Sequence, residues 1–169
     1  WDLLPSGKVA GGAPMNVAYH LNQLGVPAGM ISRVGTDDLA SELLGFLKEK
    51  RIPTELIQVD EQYPTGTVQV TINASGHPAY EIVQPSAWDY IACEEAAVNA
   101  VEGAAFFVFG SLVARNPVSE ATLLQLITSA KYRVFDVNLR QPFFSPRLIG
   151  DLLEKADLVK MNDDELHTI

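Results

Sequence analysis

The sequence predicts an α/β protein whose sheet is doubly wound and mostly parallel, with a small antiparallel β unit attached to it. Strand, loop and helix patterns alternate along most of the chain, which is typical of a parallel sheet with helices on both faces. Residues 104–109 are continuously apolar, as expected for a strand that is covered on both sides. Residues 67–73 instead alternate strictly between polar and apolar side chains, which predicts a strand with one buried and one solvated face.

Apolar periodicity and cap residues place the individual elements. Helices are predicted at 14–24, 39–50 and 94–101, after Asn116-Pro117, from Ser145-Pro146 to Lys155, and at the end of the chain after residue 161. Strands or extended segments are predicted at 1–4, 28–34, 54–60, 104–109, 133–137 and 157–161, with a hairpin of 67–73 and 79–83 turned by Ser75-Gly76. The chain therefore divides into the start of an α/β body at 1–53, a β unit at 54–84 and the rest of the body at 85–169.

Composition narrows the classes of partner. A chain of 169 residues with 47% hydrophobic residues can bury a core, and its net charge of −9 disfavours nucleic acid and anionic membranes as partners. No apolar run approaches the roughly 20 residues of a membrane span. The single Cys93 cannot form an intramolecular disulfide and fits a reducing compartment, so we expect a cytoplasmic protein. The chain opens without Met and stops within a helical pattern, and we expect it to be incomplete at both ends.

The stretch from Gly11 to Asn16 is the most informative part of the sequence. Gly11-Gly12 lets the backbone turn and lets a ligand approach the main chain, and Pro14 suits the first turn of the following helix. The free amides of that turn are expected to form a small polar cradle beside Asn16. A glycine pair before a helix is also typical of a plain tight turn.

The longer spacing is more specific. The pattern Gly-Gly-x-Pro-x-Asn-x-Ala, then six residues and Gly25, then nine residues and Gly35, resembles the first signature of the ribokinase-like (PfkB) family of sugar kinases. It does not match a Walker A loop, because no Gly-Lys-Ser/Thr follows. The resemblance spans the whole chain. It implies a ribokinase-like fold in which the β unit at 54–84 is a lid over the sugar and the contact of a possible homodimer. A simple edge hairpin is the alternative.

The resemblance implies a sugar site near the start of the chain. In the family, an Asp placed before the Gly-Gly motif binds sugar hydroxyls, and that position corresponds to Asp2. Gly11, Gly12 and Asn16 of the motif are the other candidates for substrate binding. The alternative for Asp2 is a surface residue at the end of a strand.

A second motif follows the last predicted strand. Asn162 and Glu165 have the spacing of the family's Asn-x-x-Glu motif, which implies that Asn162 lies near the ATP phosphates and that Glu165 acts on Mg²⁺ through water. Lys160 and Arg140 are further candidates for phosphate binding, Arg140 because a guanidinium binds phosphate in bidentate fashion. The structural alternative is helix capping, because Asn is a good N-cap and Glu favours the first turn of a helix.

The resemblance implies ATP-dependent phosphorylation of a sugar hydroxyl, with ATP, Mg²⁺ and a monovalent cation as candidate cofactors. Within the family, the opening Asp-Leu-Leu-Pro, the Gly-Gly-Ala-Pro-Met-Asn form and the Lys-Met-Asn-Asp-Asp-Glu segment look most like fructokinases. A ribokinase, a nucleoside kinase, a 2-keto-3-deoxygluconate kinase and a non-catalytic sugar- or nucleotide-binding homologue remain alternatives. The family's catalytic Asp belongs to a Gly-Ala-Gly-Asp segment that this sequence lacks, so we expect these 169 residues to be inactive alone.

Overall fold

A computed structural model describes residues 1–72 and 78–169. These residues form two compact units, Trp1–Tyr90 and Ile91–Ile169. The predicted turn at Ser75-Gly76 lies outside the described residues. Within the part of the chain that is described, no helix has the length and apolar character needed to cross a membrane.

The first unit combines a four-stranded sheet, a separate pair of strands and two helices. Its elements are β1 (Asp2–Leu4), β2 (Gly7–Val9), α1 (Ala13–Gln23), β3 (Ser32–Val34), α2 (Asp38–Glu49), β4 (Ile57–Val59), β5 (Val68–Ile72), β6 (Pro78–Ile82) and a 3-10 turn at Ala87–Tyr90. The four-stranded sheet has the order β2-β1-β5-β6, in which β1 and β5 are parallel and the outer pairs are antiparallel. β3 and β4 form a parallel pair.

The second unit is a three-stranded parallel sheet with helices. Its elements are α3 (Glu95–Gly103), β7 (Phe107–Gly110), a 3-10 turn at Leu112–Arg115, α4 (Pro117–Ser129), β8 (Arg133–Asp136), α5 (Pro146–Lys155), β9 (Leu158–Lys160) and α6 (Asp163–Thr168). The strand order is β7-β8-β9. Its core packs β7 and β8 against α4 and α5, with the rings of Phe109 and Phe135 stacked at 5.3 Å and Ile127 and Leu152 buried beside them.

The predicted α/β class and the antiparallel hairpin are confirmed. Some predicted strands are shorter in the structure. The segment predicted as a strand at 28–34 is a strand only from Ser32, and the Ala28 carbonyl instead accepts a hydrogen bond from the Asn22 side chain at the end of α1 at 2.8 Å. Ala104 lies at the C-cap of α3 instead of in a strand, and its amide donates to Ala100 at 3.0 Å.

The helices begin where cap residues stand in the sequence. Asp37 accepts the Ala40 amide at 2.8 Å, Asn116 accepts the Val118 amide at 3.0 Å, and Ser145 accepts the Leu148 amide at 3.2 Å. Each side-chain oxygen satisfies an amide that has no partner within its helix. These caps explain why the predicted starts of α2, α4 and α5 agree with the structure.

Two carboxylates organise the loop between β4 and β5. Asp60 is only 3% exposed, lies 2.7 Å from Arg33 Nε, and accepts the amides of Gln62 and Tyr63 at 2.7 and 3.0 Å. Burial by itself would raise the pKa of Asp60, but these amides and Arg33 outweigh it and hold the pKa below the ordinary 3.8. Asp37 has the same balance: burial would raise its pKa, while bonds from Thr65 and Ala40 lower it overall.

Asp60→Asn should therefore destabilise the first unit by about 3 kcal/mol at neutral pH, the lower end of the range for breaking a buried ion pair. Because the folded-state pKa is lowered, the stabilisation is present above the ordinary Asp pKa and is lost as the pH falls through the folded value. Urea denaturation of wild type and mutant at pH 7 and near pH 3 measures this. Asp38→Asn, an exposed change in the first turn of α2, is the control and should cost a few tenths of a kcal/mol. An unchanged midpoint in Asp60→Asn at pH 7 would contradict the role of the pair.

Candidate active site

The first candidate group lies where β1 runs beside the start of α1. Asp2 is half-buried in β1, and its carboxylate lies directly against the backbone of Gly11. A Cβ at Gly11 would overlap Asp2 Oδ2 and would stand 2.9 Å from Asp2 Cγ. Residue 11 therefore has to be glycine for Asp2 to keep this position.

Gly12 and Asn16 continue this group along α1. Gly12 is the N-cap of α1 with φ of 112°, a conformation that favours glycine, and its carbonyl accepts the Asn16 amide at 3.0 Å. No side chain among the described residues caps this helix, and Pro14 in its first turn has no amide hydrogen. The remaining first-turn amides can therefore donate to a ligand. Asn16 is exposed on the first turn of α1.

The second candidate group lies at the carboxyl ends of β8 and β9. Asp136 and Lys160 are paired residues of these neighbouring parallel strands, and Lys160 Nζ lies 2.9 Å from Asp136 Oδ1. Asp136 is followed by Asn138, which has a positive φ of 39°, and by Arg140. The Arg140 guanidinium is exposed and donates to the neighbouring Leu139 carbonyl at 2.9 Å, so its side chain folds back on its own loop.

Glu165 connects the loop after β8 with the start of α6. One carboxylate oxygen accepts the Leu139 amide at 2.9 Å, and the other accepts the Asn162 amide at 2.9 Å. The Asn162 side chain in turn accepts the Glu165 amide at 2.8 Å, which completes a capping box. Glu165 is only 7% exposed. Glu165 is thus a buried carboxylate that fixes two loops, and it does more than favour the dipole of one helix.

These contacts bear on whether Mg²⁺ could be held here. Among the described residues, no group of three or more His, Cys, Asp and Glu side chains is placed to hold a metal ion. Both oxygens of Glu165 already accept backbone amides. The geometry therefore fits a contact to Mg²⁺ through water better than direct coordination.

Sequence reasoning missed two features of the second group. It did not pair Asp136 with Lys160. Each of them lies at the carboxyl end of a predicted parallel strand, and neighbouring parallel strands end at the same edge of a sheet. It also missed the bond from the Leu139 amide to Glu165, which depends on a loop conformation that the sequence pattern does not reveal.

Comparisons with known proteins identify the family. The model of the pfkB family of carbohydrate kinases matches residues 6–169. The chain belongs to the pfkB family of carbohydrate kinases. It is 30% identical over 168 residues to a protein of Pyrococcus horikoshii named as a sugar kinase, covering 94% of this chain and 54% of that one. It is 29% identical over 179 residues to the fructokinase of Salmonella typhimurium, covering 98% of this chain and 58% of the other.

Solved structures of this family agree with the fold. The crystal structure of the Pyrococcus horikoshii sugar kinase has a TM-score of 0.88 at 26% identity, covering 99% of this chain and 61% of that one. The fructokinase of Vibrio cholerae has a TM-score of 0.83 at 24% identity, with coverage of 99% and 62%. The 169-residue chain spans about half the length of the curated relatives it matches.

The contact between Asp2 and Gly11 leads to a first test of the site geometry. Gly11→Ala should lower the free energy of unfolding by about 1 kcal/mol, the lower end of the cost of an extra carbon, because the atoms that it would meet belong to the Asp2 side chain and not to the backbone. Gly45→Ala is the matched control, because its Cβ would meet no atom within 4 Å in the middle of α2. That change should stabilise the protein by about 0.5–1 kcal/mol. Denaturant melts of the two variants decide the matter, and equal stability of Gly11→Ala and wild type would show that Asp2 is not confined by Gly11.

Proposed function

We propose that the full-length protein transfers the γ-phosphoryl group of ATP to a hydroxyl group of a sugar, with fructose as the favoured acceptor. The observation that carries this proposal is the position of the Asp2 carboxylate against Gly11, next to the uncapped start of α1, in a member of the pfkB carbohydrate kinase family. A carboxylate accepts hydrogen bonds from hydroxyl groups, and the free amides of a helix start donate them. Such a pair suits a neutral, polyhydroxylated ligand.

Phosphoryl transfer needs a positioned acceptor, neutralised phosphate charge and a base for the hydroxyl proton. In this proposal, Asp2, Gly11, Gly12 and Asn16 position the sugar. Lys160 and Arg140 neutralise phosphate charge, and Asn162 lies beside the phosphates. The base is an Asp from a part of the protein beyond these 169 residues, because the sequence contains no Gly-x-Gly-Asp segment.

ATP is the proposed phosphate donor, bound together with Mg²⁺ as its substrate complex. A crystal structure of the Pyrococcus horikoshii relative contains ATP, which supports this choice of donor. Glu165 would contact the hydrated metal only through water, because its two oxygens are engaged with the amides of Leu139 and Asn162. A monovalent cation is a further candidate cofactor.

The β unit at 54–84, whose strands β5 and β6 belong to the four-stranded sheet, is proposed to be the lid over the sugar and the surface of a homodimer. The outer strands of that sheet, β2 and β6, each carry one exposed apolar side chain, Val9 and Tyr80, at opposite edges of the sheet. The sheet includes β1, so Asp2 and the lid belong to one element of the fold. The cytoplasmic location stays a prediction from the single Cys93.

The alternative from a different class is a non-catalytic sugar- or nucleotide-binding homologue, which would need no base. Ribokinase, 2-keto-3-deoxygluconate kinase and nucleoside kinase activities remain alternatives within the family. The sequence of the rest of the protein distinguishes the catalytic from the non-catalytic case.

The direct test measures ADP release by the full-length protein with ATP, Mg²⁺ and a panel of acceptors: fructose, ribose, 2-keto-3-deoxygluconate and adenosine. We expect the highest kcat/KM with fructose. Release of ADP with none of these acceptors, by a protein that still binds ATP and a sugar, would favour the non-catalytic alternative.

Asp2→Ala then tests the proposed sugar site. Losing a hydrogen bond to a charged group should weaken sugar binding by about 1.5–3 kcal/mol, while ATP binding stays nearly unchanged. Calorimetric titration with each ligand separately measures both affinities. Asp38→Ala, which removes an exposed carboxylate in the same unit, is the control and should leave both affinities unchanged. Equal weakening of sugar and ATP in Asp2→Ala, or of neither, would remove Asp2 from the site.

A further inference from the structure

We propose that Asp136 is a positioning residue for the nucleotide phosphates: it holds the Lys160 ammonium group at the carboxyl edge of β8 and β9. This inference rests on the proposed function, in which Lys160 neutralises phosphate charge. It adds a residue that the Asn-x-x-Glu motif does not contain. Asp136 itself would not touch the nucleotide and would act through Lys160.

The geometry of the two strand ends carries the proposal. Asp136 and Lys160 are register partners in parallel β8 and β9, and Asp136 Oδ1 lies 2.9 Å from Lys160 Nζ. The Asp136 side chain is 18% exposed and the Lys160 side chain is 62% exposed. The carboxylate is therefore mostly buried, while the lysine side chain that pairs with it is mostly exposed to solvent.

The backbone that carries Asp136 is fixed on both sides. The Val137 amide donates to the Lys160 carbonyl at 2.9 Å, which ties the end of β8 to the end of β9. The Ser111 hydroxyl donates to the Val137 carbonyl at 2.7 Å, and both Ser111 and Val137 are buried. A carboxylate on this fixed strand end can restrain a long and otherwise mobile lysine side chain.

The chemistry of the pair suits a phosphate ligand. A lysine ammonium group has three N–H donors, and its ion pair with Asp136 leaves donors available for phosphate oxygens. Other kinases use the same principle when an ion pair with Glu sets the position of a phosphate-binding Lys. Without this ion pair, the Lys160 side chain would populate many rotamers, and its ammonium group would have no fixed position.

The sign of one mutational effect separates positioning from simple charge repulsion. A carboxylate near the phosphates repels them, so its removal alone would tighten nucleotide binding. If Asp136 instead positions Lys160, removal of its charge weakens binding, and the weakening disappears when Lys160 is already absent. The two accounts therefore predict opposite changes in ATP affinity for Asp136→Asn.

The experiment is a double-mutant cycle on ATP binding, measured by titration calorimetry with the full-length protein and no sugar. We expect Asp136→Asn to raise the Kd for ATP about five- to tenfold, Lys160→Met to raise it similarly, and the double mutant to bind no more weakly than Lys160→Met alone. Asp136→Glu, which keeps the charge but shifts the carboxylate by one carbon, gives a second comparison if Asp136→Asn does not fold. We expect a weaker Kd for it as well.

The chain offers a matched control on the same two strands. Arg133 at the start of β8 and Asp157 just before β9 form a bidentate pair with both distances at 2.8 Å, at the opposite edge of the sheet. Asp157→Asn breaks this pair and should lower the melting temperature without changing the Kd for ATP. A change in Kd equal to that of Asp136→Asn would mean that any loss of a strand-end ion pair disturbs the site, and would overturn the proposal.

The remaining outcomes are equally decisive. Unchanged or tighter ATP binding in Asp136→Asn would overturn the inference. So would a double mutant that binds ATP more weakly than Lys160→Met by the same factor that Asp136→Asn shows against wild type. A protein that binds no ATP would refute both the inference and the proposed function. A protein that binds ATP but phosphorylates no sugar would refute the proposed function alone, because the binding cycle still decides the role of Asp136.

Discussion

The buried carboxylate of Glu165 is the constraint on which the second candidate group depends. A carboxylate with 7% exposure has to be satisfied by hydrogen bonds, and here two backbone amides from different segments supply them. The Leu139 amide belongs to the loop that carries Asn138 and Arg140, and the Asn162 amide begins α6. The loops that follow two neighbouring strands are thereby held together at one edge of the sheet.

The first unit uses acidic side chains in a similar way. Asp37 accepts the amides of both Ala40 and Thr65, and its carboxylate occupies space that a side chain at Gly35 would need. Asp2 excludes a side chain at Gly11 by the same steric argument. Some of the chain's acidic side chains therefore have a structural role: Asp37 satisfies two backbone amides, and both Asp37 and Asp2 occupy space beside a glycine.

The sequence predicted most of the fold because local signals and the global fold agree. Asn116 and Ser145 stand at the starts of α4 and α5, each before a Pro, and both act as N-caps in the structure. The sequence did not predict that β1 and β2 join the antiparallel hairpin, because pairing between β1 and β5 is non-local and leaves no periodic signal. For the same reason the motif spacing singled out Asn162 and Glu165 but could not reveal the Leu139 amide bound to Glu165.

The most direct test of the role of Glu165 is to measure hydrogen exchange at the backbone amides of Leu139 and Asn162 by NMR, in wild type and in Glu165→Gln. Gln keeps one acceptor oxygen and turns an NH₂ group toward the other amide, so at least one of the two amides should exchange tenfold or more faster in the mutant. The Val137 amide, which donates to Lys160, should keep its protection in both proteins. Fast exchange of Leu139 and Asn162 already in wild type, or equal protection in the two proteins, would contradict the view that Glu165 holds these loops together.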